Sequence, residues 1–266
     1  MFPGILALAT VTSAAMLPQD HDPSSDHSHT LHFSHPIVTE SPSPDTKVRI
    51  DGIHLDGVHV EADRGDATTV RLEAEYAFHP SLSVEVNVPY TFLDLDGASS
   101  QDSLDNVEVG LKFANFAFAD RGLLLGYGIE FGLPTGDDDV GIGSNNELEI
   151  APFLDFGYMN GPLEVVGFST FVIPTNQNGE EVESEMEPQL SFLYHANESL
   201  MALCELDGVG VLSGDEEGSW VVNLSPGLKL APFAKKNLRL GLSVGFPLTH
   251  DEEFDLRVIG SLFYHL

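Results

Sequence analysis

The stretch LLLGYGIEFGLPTGDDD, Leu123 to Asp139, alternates between two kinds of residue and then ends in a burst of negative charge. Its odd-numbered positions up to Leu133 are large and apolar, whereas most positions between them are small or polar, as at Gly126 and Glu130. Because successive side chains of a β-strand point to opposite faces, this pattern predicts a strand with one apolar and one polar face. The Pro-Thr-Gly sequence and the aspartates that follow predict a solvated loop at its end.

The same alternation recurs from residue 46 to the end of the chain, in about twelve segments of about 11–13 residues each. Strands of soluble proteins usually have about 5–6 residues, whereas tilted strands that cross a membrane need about 9–11. The sequence therefore predicts an all-β fold, an antiparallel up-and-down transmembrane β-barrel of about 12 strands over residues 46–266. The first segment breaks its alternation at Asp51–Gly52 and Asp56–Gly57, where we expect a bulge or a bend.

The connections between these segments alternate between short and long. Short ones include HPS (79–81) and MNG (159–161), and long ones include TGDDDVGIGSNNE (135–147) and TNQNGEEVESE (175–185). Outer-membrane barrels have short periplasmic turns and longer extracellular loops. The alternation therefore predicts the outer membrane of a Gram-negative cell, with the lipid bilayer and lipopolysaccharide as partners. It indicates no oligomeric state.

The region before the barrel divides into two parts. Residues 1–16 form an apolar run that ends in small residues, which predicts a secretory signal peptide, although no Lys or Arg precedes the run. Residues 17–45 are rich in His, Ser and Pro and have no periodicity, which predicts a disordered leader. The single Cys204 has no partner for an internal disulfide, so an exported chain must be held together in another way, such as a closed barrel.

The composition is strongly acidic, with a formal net charge of −31. A polyphosphate backbone would be repelled by this charge, so we expect no nucleic-acid partner. The acidic loops GDDD (136–139) and GDEEG (214–218) lack the spaced ligands and the terminal Glu of a complete calcium loop. They are either solvated surface or loose Ca²⁺ or Mg²⁺ sites, and we expect no other cofactor.

Three stretches carry a resemblance to a known family. VEVGLKF (107–113) precedes a strand that ends in FGLPTGD (131–137), and YAFHPSLSVEVNVPY (76–90) contains a strand, a tight turn and a second strand that ends near a proline. Over about residues 65–266 the chain resembles the outer-membrane transporters grouped with the phenol meta-cleavage pathway. The resemblance implies an outer-membrane β-barrel that passes small, often aromatic molecules, and it supplies no catalytic residues.

The polar positions of the alternating segments predict which side chains line the barrel interior. The basic ones lie mainly on the first two and the last three segments, which become neighbours when the barrel closes, whereas acidic ones dominate the segments between. We therefore expect a basic wall and an acidic wall that face each other across the lumen. The predicted basic lining residues are Lys47, Arg49, Arg71, Lys229, Arg239 and Arg257. The predicted acidic lining residues are Glu73, Glu75, Glu85, Glu108, Glu130, Glu149, Glu187 and Glu205.

The function that this lumen favours is passive passage of a small solute through a porin-like transporter. Twelve strands make a barrel between the filled eight-stranded kind and the open porins, so paired charges could instead plug the lumen. The alternative is therefore a structural or adhesive barrel with a plugged lumen and cation-binding acidic loops. We expect no enzyme, because Ser261 and His265 share a strand but no nucleophile motif surrounds Ser261.

Metal binding is the weaker of two interpretations of the leader. His27, His29, His32 and His35 lie close together there. Imidazole binds zinc, copper and nickel, so these side chains predict weak metal capture in the periplasm. The competing interpretation is a polar leader without bound metal, since no Cys and no fixed geometry support a defined site.

Overall fold

The computed structural model of the chain describes residues 31–60, 63–97, 99–176, 183–214, 217–233, 237–250 and 253–266. The predicted signal peptide and residues 17–30 of the predicted leader lie outside these ranges. No helix among the described residues is long and apolar enough to cross a membrane.

Thirteen β-strands are found in the described part of the chain, and most of them begin and end within a few residues of the predicted segments. In chain order they are β1 (Lys47–Val60), β2 (Asp63–His79), β3 (Leu82–Leu95), β4 (Gln101–Leu104), β5 (Val107–Asn115), β6 (Leu123–Leu133), β7 (Glu147–Asn160), β8 (Leu163–Asn176), β9 (Glu185–Asn197), β10 (Leu200–Val211), β11 (Trp220–Leu230), β12 (Leu238–Pro247) and β13 (Leu256–His265).

Twelve of the strands close into a ring of antiparallel neighbours. Each strand of the ring pairs with its neighbours in the chain, and β1 pairs with β13 to close the barrel, from Lys47 opposite His265 to Asp56 opposite Leu256. The short β4 pairs with one end of β3 and stands outside the ring. The prediction of an all-β, antiparallel, up-and-down barrel is confirmed.

The two ends of the barrel differ in their connections. At one end, which we call the turn end, strands are joined by short turns such as residues 80–81, 161–162 and 198–199. At the other, which we call the loop end, connections are longer, such as residues 134–146 between β6 and β7. This asymmetry is typical of outer-membrane barrels, in which the turn end faces the periplasm.

Large apolar side chains cover the outside of the barrel. On β6 the side chain of Tyr127 is exposed, and on β7 Leu154 is 62% exposed, whereas Leu124 and Gly126 point inward and are buried. Hydrocarbon solvates such a surface better than water does, and a closed ring leaves no unpaired strand edge in it. The strand of Leu123–Leu133 thus has one face towards lipid and one towards the lumen.

Small residues on the inner face of β6 make room for side chains of β7. A Cβ atom added at Gly128 would collide with the ring of Phe153, and one added at Gly126 would collide with the carboxylate of Asp155. The inward side chains of β7 therefore lie across the neighbouring strand. This crossing explains why the inner face of β6 carries glycine.

The expected irregularity of β1 occurs at one of its two predicted positions. The register with β2 shifts between Asp56 and Val58, and Gly57 between them has a φ of 74°, a left-handed value that favours glycine. Pairing continues without a shift through Asp51 and Gly52, so the prediction there is wrong. Asp51 keeps its inward position because its carboxylate pairs with Arg49 inside the barrel.

Replacement of Leu154 by arginine is expected to destabilise the barrel by about 2–4 kcal/mol, the cost of a cation near the bilayer midplane. Leu154 lies in the middle of β7 on the outer face. Urea unfolding in lipid vesicles measures the free energy. Asp139→Arg, in an exposed loop, is the control and is expected to change stability little. Equal losses in both variants would contradict the assignment of this face to lipid.

Candidate functional site: the barrel lumen

Residues 31–46, which we call the internal segment, run inside the barrel at the turn end before the chain enters β1. Phe33 and Ile37 are fully buried there and pack against apolar residues of the inner wall. The prediction of a disordered leader over residues 17–45 is therefore corrected for residues 31–45. The burial of Phe33 and Ile37 against an apolar patch on the wall offsets part of the conformational entropy lost when the segment becomes ordered.

One carboxylate holds the middle of the internal segment. Glu205 on β10 accepts hydrogen bonds from the backbone N–H groups of Ile37, Val38 and Thr39, at 3.2, 3.0 and 3.0 Å. It also accepts a hydrogen bond from the hydroxyl of Ser191 at 2.8 Å. Hydrogen bonds to a charged acceptor contribute about 1.5–3 kcal/mol each, so Glu205 is a strong anchor for the segment.

Further contacts hold the first part of the internal segment. Arg49 Nη2 donates to the carbonyl oxygen of Ile37, and Lys229 Nζ donates to that of His35. The backbone N–H of Ser34 donates to Glu164 on β8 at 2.9 Å. Two of the predicted lumen bases therefore bind backbone carbonyls instead of facing an open pore.

A buried charge cluster lies beside the internal segment. Lys47 Nζ lies 2.6 Å from Glu73 Oε1 and 3.2 Å from Glu75 Oε2. Lys112 Nζ lies 2.8 Å from Glu40 Oε1 and 3.4 Å from Glu75 Oε1. Glu40 belongs to the segment; its burial acts to raise its pKa, but Lys112 and Lys47 hold that pKa well below the usual range. The Glu40 carboxylate is therefore ionised, and it ties the segment to β1 and β5.

The predicted basic residues lie on neighbouring strands, β11, β12, β13, β1 and β2, but several of them have acidic partners close by instead of facing an opposed acidic wall. Arg49 Nε lies 2.8 Å from Asp51 Oδ1, and Arg71 Nη2 lies 2.6 Å from Asp51 Oδ2. Arg257 Nη2 lies 2.5 Å from Asp207 Oδ1 on β10. Each of these bases has an acidic partner within reach, so the charges neutralise one another locally.

The half of the lumen near the loop end is acidic. Four inward carboxylates, on β5, β6, β7 and β9, have no ion-pair partner within 4.0 Å among the described residues. Two of them line a cavity of about 460 Å³, and a third lines another of about 250 Å³. The loop residue Glu253 borders the second cavity. The four carboxylates are Glu108, Glu130, Glu149 and Glu187.

The structure places the predicted lining residues in three groups. In the buried half near the internal segment lie Lys47, Arg49, Lys229, Glu73, Glu75, Glu85 and Glu205. Partly buried on the wall are Arg71, Arg239 and Arg257. Towards the loop end are Glu108, Glu130, Glu149 and Glu187. Of the predicted metal-binding histidines, His32 and His35 belong to the internal segment, whereas His27 and His29 lie outside the described residues.

Sequence reasoning missed two carboxylates that hold the internal segment, Glu40 and Glu164. Glu40 lies in a stretch without periodicity, so nothing indicated that it would be buried. Glu164 lies on β8, where Val165 and Val166 give both faces an apolar residue and hide the inner face. Alternation reveals lumen residues only where one face of the strand is clearly polar.

Comparison with known proteins concerns the fold. No protein-family model matches the chain, and no curated protein matches it in sequence. Among solved structures, an outer membrane channel from Pseudomonas putida F1 is 12% identical, has a TM-score of 0.64, and covers 89% of this chain and 98% of its own. The NanC porin is 9% identical, with a TM-score of 0.58 over 82% of this chain and 98% of its own. The KdgM porin is 11% identical, with a TM-score of 0.53 over 83% and 99%.

These likenesses extend over almost the whole length of each solved structure. At such low identity they show a shared fold, and a shared fold does not by itself establish a shared activity. The three are a channel and two porins rather than enzymes. The chain has the fold of an outer-membrane β-barrel, with a lumen that is filled near the turn end and acidic near the loop end.

Proposed function

We propose that the protein is a passive outer-membrane channel for small polar solutes, with a preference for cations. The observation that supports this function is the group of four carboxylates at the loop end that lack basic partners among the described residues. Unpaired charges of one sign in a cleft with low-dielectric walls raise the local concentration of counter-ions. Solutes would enter from the loop end and meet their narrowest passage at the internal segment.

The chemical class of the solute is a separate part of the proposal. The resemblance to transporters of the phenol meta-cleavage pathway suggests a small aromatic molecule, and this remains a prediction. The acidic cavities favour molecules that carry positive charge or hydrogen-bond donors. Block of the ionic current by added solutes can be measured for aromatic and aliphatic molecules of equal charge. A stronger block by the aromatic molecules indicates an aromatic preference, and an equal block indicates that charge alone decides.

At an alkaline pH, where both carboxylates are ionised, the double variant Glu130→Gln, Glu187→Gln is expected to reduce the preference for K⁺ over Cl⁻ several-fold, because it removes two charges without changing side-chain size. The measurement is the reversal potential across a planar bilayer under a salt gradient. Asp139→Asn, which removes a charge from an exposed loop, is the matched control and is expected to change the preference little. An anion preference in the unaltered protein, or no change in the double variant, contradicts the proposed cation path.

A second candidate function rests on a specific observation, the internal segment that fills the turn half of the lumen. In this alternative the barrel is structural or adhesive, and its acidic loops bind Ca²⁺ or Mg²⁺ and, through them, lipopolysaccharide. The two candidates differ in the same bilayer experiment. A steady conductance supports the channel, whereas a silent protein that binds lipopolysaccharide vesicles in a Mg²⁺-dependent manner supports the structural barrel.

A further inference from the structure

Three imidazole rings surround one carboxylate oxygen where the internal segment meets the last strand. Asp45 Oδ2 lies 2.6 Å from Nδ1 of His265, 3.3 Å from Nε2 of His35 and 3.7 Å from Nε2 of His32. His265 is the final residue of β13, and the other three residues belong to the internal segment. Folding of the segment into the barrel therefore assembles a group that is dispersed in the sequence.

The geometry resembles that of a metal site. In a tetrahedral zinc site with bonds of about 2.0–2.1 Å, neighbouring ligand atoms lie about 3.3 Å apart. The three distances from Asp45 Oδ2 scatter around this value, and the candidate ligand atoms of His32, His35 and Asp45 lie within 4.8 Å of one another. Small side-chain adjustments would bring the four groups around one ion.

One ligand atom is buried and lacks a well-aligned hydrogen bond. His35 is 3% exposed, and its Nε2 makes no hydrogen bond of good geometry among the described residues, although Asp45 Oδ2 lies 3.3 Å away. A buried polar atom without a good hydrogen bond is costly, and a metal ion would satisfy it. This observation is independent of the clustering of the four residues, and it points to a missing ligand at their centre.

We propose that His32, His35, Asp45 and His265 form a binding site for one divalent transition-metal ion, with zinc as the best fit. Three nitrogen ligands and one carboxylate oxygen suit zinc, whereas Ca²⁺ and Mg²⁺ prefer oxygen ligands alone. The site lies beside a cavity of about 400 Å³, which gives an ion a route from the turn end. The ion clasps the internal segment to the barrel wall.

The surroundings of His35 support this role. Metal binding at Nε2 requires that the single proton of the neutral ring be on Nδ1, which needs an acceptor. Glu40 Oε1 lies 3.9 Å from His35 Nδ1 and can accept this hydrogen bond. Lys47 Nζ lies 3.0 Å from the same nitrogen; it would give up this contact on metal binding and keep Glu73 and Glu75 as partners. Arg239 also borders the cavity and adds positive charge there. The negative charge that offsets the ion therefore comes from Asp45 and Glu40.

The test is titration of the untagged full-length protein in detergent with Zn²⁺, followed by calorimetry, and with Co²⁺, followed by visible absorption. We expect one ion per chain and the intense Co²⁺ bands of tetrahedral coordination. His35→Gln and Asp45→Asn are expected to weaken Zn²⁺ binding about 100-fold or more, since loss of an outer-shell partner alone weakens metal binding about 10–100-fold. His79→Gln, an exposed histidine at the same end of the barrel, is expected to leave the affinity unchanged.

A further variant separates this site from chelation by the remaining histidines of the leader. Replacement of His21, His27 and His29 by glutamine is expected to preserve the tight site. Loss of tight binding in this variant, or octahedral Co²⁺ spectra in the unaltered protein, overturns the proposal. The Co²⁺ spectrum decides the question even if an individual variant fails to fold.

Discussion

Deletion of residues 31–45 is expected to raise the single-channel conductance several-fold. The internal segment fills the turn half of the lumen with fully buried side chains, Phe33 and Ile37 among them. Its removal exposes Glu205, Arg49 and Lys229 to water, and hydrated charges in an open lumen cost little. The wall itself is held by the ladders between neighbouring strands, which the deletion leaves intact.

Two comparisons identify the cause of this increase. A variant in which a glycine-serine stretch of equal length replaces residues 31–45 keeps the chain but loses its specific contacts, so we expect an intermediate, noisy conductance. Glu205→Ala removes the acceptor for three backbone N–H groups of the segment and is expected to give brief openings to the higher level. An unchanged conductance in the deletion variant would mean that ions do not pass where the segment lies.

Replacement of Lys47 by methionine is expected to lower the free energy of unfolding by about 3–5 kcal/mol, as the loss of one partner from a buried ion pair does. The substitution leaves the carboxylates of Glu73 and Glu75 without their nearest cation. Urea unfolding in detergent, followed by the fluorescence of the single Trp220, measures the loss. Lys47→Arg, which keeps the charge, is expected to restore most of it.

An exposed ion pair of the same barrel provides the control. Arg64 pairs with Asp255 near the loop end, with 53% and 36% of their side chains exposed. Arg64→Met is expected to cost about 1 kcal/mol or less, because solvent screens such a pair. A loss of similar size for Lys47→Met would mean that water reaches the charge cluster and that the turn half of the lumen is not filled.

The barrel could be predicted from the sequence because two solvents impose a strict pattern on each strand. Lipid outside and polar groups inside make the side chains of β3, β6 and β12 alternate along their length, and hydrocarbon thickness fixes their length. Strand number, closure and the distinction between turns and loops follow from the same pattern. Gly57 could be located because the alternation of β1 changes phase there.

The filled half of the lumen could not be predicted, for physical reasons that concern particular residues. The internal segment has neither alternation nor helical period, and Phe33 and Ile37 alone do not outweigh its polar composition. The alternation of side chains predicted that Lys47, Arg49 and Lys229 point inside the barrel, but it gives no distance between strands that are far apart in the chain. The pairing of these bases with carboxylates and backbone carbonyls depends on those distances, and so does the convergence of Asp45 with His265.

The seam between β1 and β13 has a consequence for biogenesis. It joins Lys47 of β1 to His265 of β13, so the cylinder cannot close until both strands have been exported. Until then the chain is an open sheet with two unpaired edges, and apolar edges of that kind template aggregation. A truncation that removes β13 should therefore yield an aggregation-prone product that depends on periplasmic chaperones, and not a barrel with fewer strands.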